Sequence, residues 1–344
     1  MPSPSQPIAV LGGWVATDLR EIETDLRVLD GSGRWAVCIG FEGTPVLARF
    51  ARWERRPVAP DEVGPWHAPD RAAWRSTLDE PAYRAAVERV RAHIARGEVY
   101  QTNVCRTVRA PLDPRADLVA LHGRLQVGNP APYAGALRLP EVGVHVASAS
   151  PELFLGRRDD LVWSSPIKGT AAASDGFLAK DSAENVMIVD LVRNDLGRVC
   201  AVGSVGVPSL LGVQPHPGLV HLVSTVAGDL RPEVGWPQLL DATFPPGSVT
   251  GAPKLAALQI IGSVEAGPRG PYCGAFGWVD ADRHRAELAV TIRTFWREEP
   301  ADGTFLAFGT GAGITWDSEP GAEWRETELK AERLLRLACD QEVP

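Results

Sequence analysis

Residues Tyr272 to Phe308 read YCGAFGWVDADRHRAELAVTIRTFWREEPADGTFLAF. Apolar, β-branched and aromatic residues gather there into three runs, Tyr272–Val279, Ala286–Arg293 and Thr304–Phe308, which predicts three strands in a row. Upstream, Trp35–Ile39, Pro45–Phe50, Gly143–Ser148 and Asp160–Ser164 read as further strands. Helices are expected at Pro81–Arg96, Ser182–Leu196, Pro237–Ala242, Pro253–Ile261 and Pro320–Ala338. Strands follow strands with no βαβα rhythm, and no GxGxxG closes a first strand. The expected class is therefore α+β with antiparallel sheets, not a doubly wound parallel sheet. Residues 1–75 form a strand-rich segment ahead of a proline-rich connection (Pro57, Pro60, Pro65, Pro69), and are expected to pack on the same fold as residues 76–340.

The chain has 344 residues, 44% hydrophobic and 23% charged, which are globular values and argue against disorder. Its net charge of −8, without a lysine or arginine block, makes nucleic acid and anionic membrane surfaces poor partners. No apolar run reaches the ~18 residues of a membrane span. The N-terminus lacks the basic flank of a signal peptide. Five scattered cysteines with no CxxC read as reduced thiols. A cytoplasmic globular protein is expected.

Only four of the 35 basic residues are lysine: Lys168, Lys180, Lys254 and Lys330. Arginine serves wherever a generic positive charge suffices, so a retained lysine is a candidate for chemistry that needs a deprotonated amine. Lys168 lies in SSPIKGT (Ser164–Thr170), between Pro166 and Gly169, in what reads as a rigid turn. Sixteen residues earlier, Glu152 in SASPELFLG is placed to act as an acid on the same wall; a turn lysine and a salt-bridging glutamate are the bland alternative. In KDSAENVMIVDLVRNDLGRVC, Asp181 and Glu184 fit a capping box, which alone accounts for Glu184; a metal carboxylate is the other reading. Glu323, Glu326 and Lys330 share a narrow sector of the last helix, bordering a stripe of Trp324, Ala331, Leu335 and Ala338. Carboxylates there can face a cleft and suit Mg²⁺, or simply pair with Lys330 in solvent. PPGSVTGAPK (Pro245–Lys254) and GTGAG (Gly309–Gly313) read as glycine-rich turns able to present N–H groups to an anion, and Tyr272 with Arg293 can add a carboxylate clamp. His216 and His221 lack a third ligand for a metal.

In order, GEVYQTNVCR, SASPELFL, PIKGT, AENVMIVDLVRNDLGRV, HLVSTV, FPPGSVTGAPK, RGPYCG, TIRT, GTGAGITWDSEP and EWRETELKAERLL resemble the chorismate-utilising enzymes. The resemblance runs from about residue 80 to 338 and is strongest to the large subunits of aminodeoxychorismate synthases. It implies two stacked antiparallel sheets flanked by helices, and makes residues 76–340 a chorismate-binding catalytic region with a Mg²⁺-dependent site. Two positions choose among members. Lys168 stands where anthranilate synthases usually carry alanine. Gln101 stands where isochorismate and salicylate synthases have a water-activating lysine, and glutamine cannot serve as that base. Ammonia is thereby favoured over water as the incoming nucleophile.

The implied reaction has Lys168 attacking C2 of chorismate while Glu152 protonates the leaving C4 hydroxyl. Ammonia then adds at C4 and expels the lysine, giving 4-amino-4-deoxychorismate. Carried over position by position, Glu184 and Glu326 match Mg²⁺ ligands, with Glu323 an outer partner through water. Tyr272 and Arg293 match residues that hold the enolpyruvyl side. Thr170, His221, Gly311 and Gly313 match the ring-carboxylate side, and Lys330 lies near metal and carboxylates. Ala171–Ala173 replaces a more basic stretch, Pro246 replaces a usual glycine, and no Leu-Leu-Glu-Ser segment for tryptophan is found. No glutaminase or lyase region is recognisable, so ammonia is expected from a separate glutamine amidotransferase subunit. Anthranilate synthase, 2-amino-2-deoxyisochorismate synthase and a non-catalytic chorismate-binding subunit are the competing functions.

Overall fold

A computed structural model describes residues 6–171, 179–216 and 219–339. Four strands come first: β1 (Ile8–Leu11), β2 (Trp14–Glu23), β3 (Arg34–Ile39) and β4 (Pro45–Glu54). They are followed by β5 (Arg75–Ser76), α1 (Glu80–Ala95), β6 (Gln101–Pro111), α2 (Leu118–Gly128), β7 (Tyr133–Leu139) and β8 (Val144–Ser150). Next are β9 (Leu153–Arg158), β10 (Leu161–Ser165), β11 (Ile167–Ala171), α3 (Ala179–Gly197), β12 (Gly206–His216), β13 (Leu219–Asp229) and α4 (Trp236–Thr243). Beyond these lie β14 (Gly251–Ala252), α5 (Lys254–Val264), β15 (Ala275–Asp280), β16 (Arg285–Val290), β17 (Thr294–Glu298), β18 (Phe305–Ile314) and α6 (Pro320–Cys339).

Among the described residues every strand pairing is antiparallel. One arm of the ladder runs β6–β18–β17–β8–β7–β1. The β1–β2 hairpin joins it to a second arm, β2–β4–β3–β15–β16–β9–β10–β13, with β11 and β12 also paired to β13. The two arms stack: Leu137, Leu139 and Val146 of the first share a core with Val37, Phe154, Phe276 and Val290 of the second. The fold is thus the expected α+β pair of stacked antiparallel sheets, joined at one edge into a single hydrogen-bonded network.

Helices cover the outer faces. Ile188 and Val189 of α3 and Leu239 and Leu240 of α4 close the main core. Leu121 and Leu125 of α2 and Leu334 and Leu337 of α6 pack with Phe295 and Phe308 of the first arm. Helix α1 starts where Asp79 accepts from the Ala82 N–H, with Pro81 in its first turn, and stops before Gly97 at φ +74°. On α6 the buried stripe contains Leu334 and Leu337, whereas Leu335 is only partly buried.

Two of the chain's passages between the arms lie together, a first crossing from β8 to β9 through Pro151–Glu152 and a second from β16 to β17 through Thr291–Arg293. Each crossing is bonded to a strand that flanks the other. The Ala149 N–H donates to the Arg293 carbonyl at 3.0 Å, and the Val290 N–H to the Glu152 carbonyl at 3.0 Å. Tyr272 and Arg293 consequently lie outside the strands predicted to contain them: Tyr272 is in the turn before β15, and Arg293 is in the second crossing at φ +52°. The GTGAG stretch is not a turn. Gly309 to Gly313 continue β18, paired residue for residue with Thr107 to Asn103 of β6.

Candidate active site

A cavity of about 730 Å³ opens beside the two crossings, with β11, β13, β18, α3 and α6 contributing walls. Glu152, Lys168, Glu184, His221, Tyr272, Arg293, Gly311, Gly313, Glu323, Glu326 and Lys330 all line it. Thr170 pairs with His221 through the β11–β13 ladder; its side chain lies outside the described residues, as do those of Lys180, Asp181 and His216, and the whole of Ala172 and Ala173.

Lys168 sits in a strand, not a turn. Between Ile167↔Val223 and Thr170↔His221 the register gains one residue, and Gly169 takes φ +89°. That bulge, with Gly169 supplying a left-handed conformation other residues resist, re-aims Lys168 into the cavity. Burial lowers the Lys168 pKa from the usual lysine range, and Lys330 adds to the effect, while Glu184, Glu152 and Glu326 oppose it. Glu152 is 4% exposed in the first crossing. Burial raises its pKa to about 7, against the opposing pull of a Ser248 side-chain hydrogen bond, Lys168, the Ile167 N–H and Arg293. A lysine tending toward the free amine thus shares a cavity with a carboxyl tending toward the acid form. A pair so tuned can serve as a nucleophile and a general acid.

Helix α3 is described over Ala179–Gly197, so the backbone of Asp181 is already helical and Asp181 does not stand at a cap position. Glu184 instead faces the cavity. Across from it, Lys330 Nζ lies 2.6 Å from Glu326 Oε1 and donates to the Gly311 carbonyl at 3.0 Å, so helix spacing and cavity lining coincide. Among the described residues no three His, Cys, Asp or Glu side chains are close enough to enclose a metal ion. Three carboxylates lining one cavity, Glu184 from α3 and Glu323 and Glu326 from α6, still fit Mg²⁺, which takes one or two protein carboxylates and completes its shell with water and ligand oxygens.

The glycines of β18 permit close approach. A Cβ on Gly309 would lie 2.1 Å from the Tyr272 ring, one on Gly311 2.6 Å from Cys105 Sγ, and one on Gly313 2.2 Å from Gln101 Nε2. Two further lining residues carry no signal of their own in the sequence. Asn103 Nδ2 donates to the Ser248 carbonyl at 3.2 Å, and the Ser248 hydroxyl bonds the Glu152 carboxyl. Both lie within the motifs QTN and PPGSVTG, but nothing in those strings says that they meet at Glu152. The five cysteines are free thiols, four of them buried. Among the described residues no helix is long and apolar enough to cross a membrane.

Residues 47–336 match the family of chorismate binding enzymes. An aminodeoxychorismate synthase of Streptomyces pristinaespiralis is 42% identical over 268 residues, covering 74% of this chain and 36% of that protein. Aminodeoxychorismate synthase component 1 of Klebsiella aerogenes is 38% identical over 278 residues (77% and 59%), and an anthranilate synthase component 1 of Halobacterium salinarum is 39% identical over 272 (75% and 50%). The chain therefore spans between about a third and three fifths of the length of these relatives. In fold, anthranilate synthase component I of Streptococcus pneumoniae superposes with a TM-score of 0.76 at 24% identity, over 97% of this chain and 90% of that one. The isochorismate synthase MenF of Escherichia coli does so with a TM-score of 0.78 at 18% identity, over 98% and 90%.

Proposed function

The chain belongs to the chorismate binding enzyme family, and on that premise we propose that it converts chorismate and ammonia to 4-amino-4-deoxychorismate. The observation that carries this reading is Lys168 on its bulge, its pKa lowered by burial, in the same cavity as a glutamate whose pKa is raised to about 7. The neutral Lys168 amine attacks C2 of chorismate, the ring double bonds shift, and the C4 hydroxyl takes the Glu152 proton and departs as water. Ammonia then adds at C4 while the bond from Nζ to C2 breaks. The bond from Nζ takes its electron pair back as the neutral amine, the ammonium formed at C4 returns one proton to Glu152, and the enolpyruvyl group is kept. Tyr272 and Arg293 hold the enolpyruvyl side; His221, Thr170 and the Gly311–Gly313 strand take the ring carboxylate. Gln101, fully buried and packed against Gly313, supplies no base for water.

Glu184 and Glu326 would hold Mg²⁺, with Glu323 behind them; the ion would supply positive charge to a substrate carboxylate. Ammonia would be delivered by a glutamine amidotransferase subunit; the designation component 1 of the Klebsiella relative implies a separate partner for that protein. The similarity to an anthranilate synthase at 39% identity keeps that activity as the second reading. Incubation with chorismate, Mg²⁺ and ammonium salt decides. The expected product retains the enolpyruvyl group, and glutamine does not replace ammonium. Fluorescent anthranilate, or binding of chorismate without turnover, would refute the proposal.

A further inference from the structure

Glu152 and Ser248, which line the large cavity, also line a second void of about 20 Å³. Its lining comes from β9, β10, α3, the end of α4, the Pro246–Ser248 loop and β16, and every lining residue is buried. That volume admits one water molecule, and a water needs two to four polar partners. Glu152, Ser164, Asp195, Thr243 and Ser248 provide polar side chains around it.

One of these groups is half of a buried ion pair that the proposed chemistry leaves unused. Lys254 Nζ lies 2.7 Å from Asp195 Oδ2 and donates to the Thr243 carbonyl at 2.8 Å; the two side chains are 13% and 8% exposed. Lys254 is another of the four lysines, and the pair ties α3, the end of α4 and the start of α5 around the void. A buried ion pair is weak evidence for stability, because desolvating two charges offsets their attraction. Its place at the void that Glu152 also lines gives it a second use.

We propose that the void is a water site through which the Asp195–Lys254 pair, together with Ser248, orients and polarises the Glu152 carboxyl, making all three positioning residues. The inference rests on the reading of Glu152 as general acid. Lys168 on β11 and Arg293 in the second crossing act on the Glu152 carboxyl, and Asp195 on α3, paired with Lys254, lines the void that Glu152 also lines. Lys168 and Arg293 line the large cavity, whereas Asp195 and Lys254 are not among its lining residues, so the proposed influence of the pair does not depend on whether that cavity is filled.

The sign of each perturbation follows. A general acid works protonated, so activity falls as pH rises through its pKa. Ser248→Ala removes a donor that favours the carboxylate, which moves this alkaline limb upward. Asp195→Asn leaves the Lys254 cation unbalanced, which favours the carboxylate and moves the limb downward. Each shift is expected to be roughly one pH unit. The double variant Asp195→Asn/Lys254→Met removes both charges and returns the limb toward wild type.

The test is kcat against pH for the full chain with saturating chorismate and Mg²⁺, holding free ammonia constant. Opposite shifts in the two single variants support the network; absent or same-sided shifts overturn it. Should the variants fail to fold, a high-resolution crystal structure of the wild type decides. An ordered water touching both Glu152 and Asp195 supports the site, and a dry or side-chain-filled void overturns it. A wild-type chain without turnover would instead refute the proposed function, whereas normal turnover with unmoved limbs refutes only this inference.

Discussion

Replacing Gly309 with alanine tests how the cavity wall is built. The added Cβ would lie 2.1 Å from Tyr272 Cγ and 2.4 Å from both Cδ atoms, where ordinary contact begins at 3.4 Å. The ring must therefore retreat by about 1.3 Å. Tyr272 is 6% exposed, and what freedom it has lies on the cavity side. Overpacking of this kind costs about 1–3 kcal/mol of stability. Displacing a substrate-facing ring by more than 1 Å costs on the order of 10²-fold in kcat/KM. Gly262→Ala is the control. Gly262 lies in α5, and a methyl group added there would meet nothing within 4 Å, so alanine should gain about 0.5–1 kcal/mol and leave kinetics unchanged. Urea denaturation and steady-state kinetics with chorismate and ammonium read both effects. Wild-type kcat/KM in Gly309→Ala would refute the assignment of Tyr272 to the substrate wall.

Three further outcomes are expected. Lys168→Arg should be as inactive as Lys168→Ala, because a guanidinium stays protonated and cannot attack carbon; wild type incubated with chorismate and Mg²⁺ but no ammonia should carry an adduct on the Lys168 peptide, and an active Arg variant lacking one would end the covalent mechanism. Glu326→Gln should lose Mg²⁺ binding by calorimetry along with turnover while keeping its melting temperature, since the Glu326–Lys330 pair is half exposed on both sides and such pairs contribute about 0–1 kcal/mol; unchanged Mg²⁺ affinity would remove Glu326 from the ligand set. Turnover at constant free ammonia should decline above about pH 7, where Glu152 loses its proton, and Glu152→Gln should abolish that limb with the activity; a rate still rising at pH 9 would assign the acid elsewhere.

The legible parts of the site are those with local signatures. Glu323, Glu326 and Lys330 declare themselves by helix spacing, and Lys168 by being a lysine in a chain of arginines. Sequence and structure part where a local pattern has two physical meanings. Glycine at positions 309, 311 and 313 suits a turn, but here it clears space for Tyr272, Cys105 and Gln101, whose approach depends on the β6–β18 ladder and the turn before β15. Asp181 followed three residues later by Glu184 suits a cap, yet the helix has already begun at Ala179. Lys168 between Pro166 and Gly169 suits a turn, and becomes a bulge only because β13 lies alongside. Ser248, Asp195 and Lys254 are illegible as a group because three separate elements bring them together.

The twin crossings between the arms also bear on how the protein comes into being. Glu152 and Arg293 hang on links that are each bonded to a strand flanking the other, and Lys168 owes its lowered pKa first to burial. Neither condition is met in a chain with one arm collapsed and the other still open. In such an intermediate the lysine is an ordinary solvated ammonium, inert toward electrophiles, and the glutamate an ordinary carboxylate. The proposed reactivity of Lys168 therefore belongs to the assembled pair of arms, and unfolded or damaged copies should be chemically silent toward electrophiles.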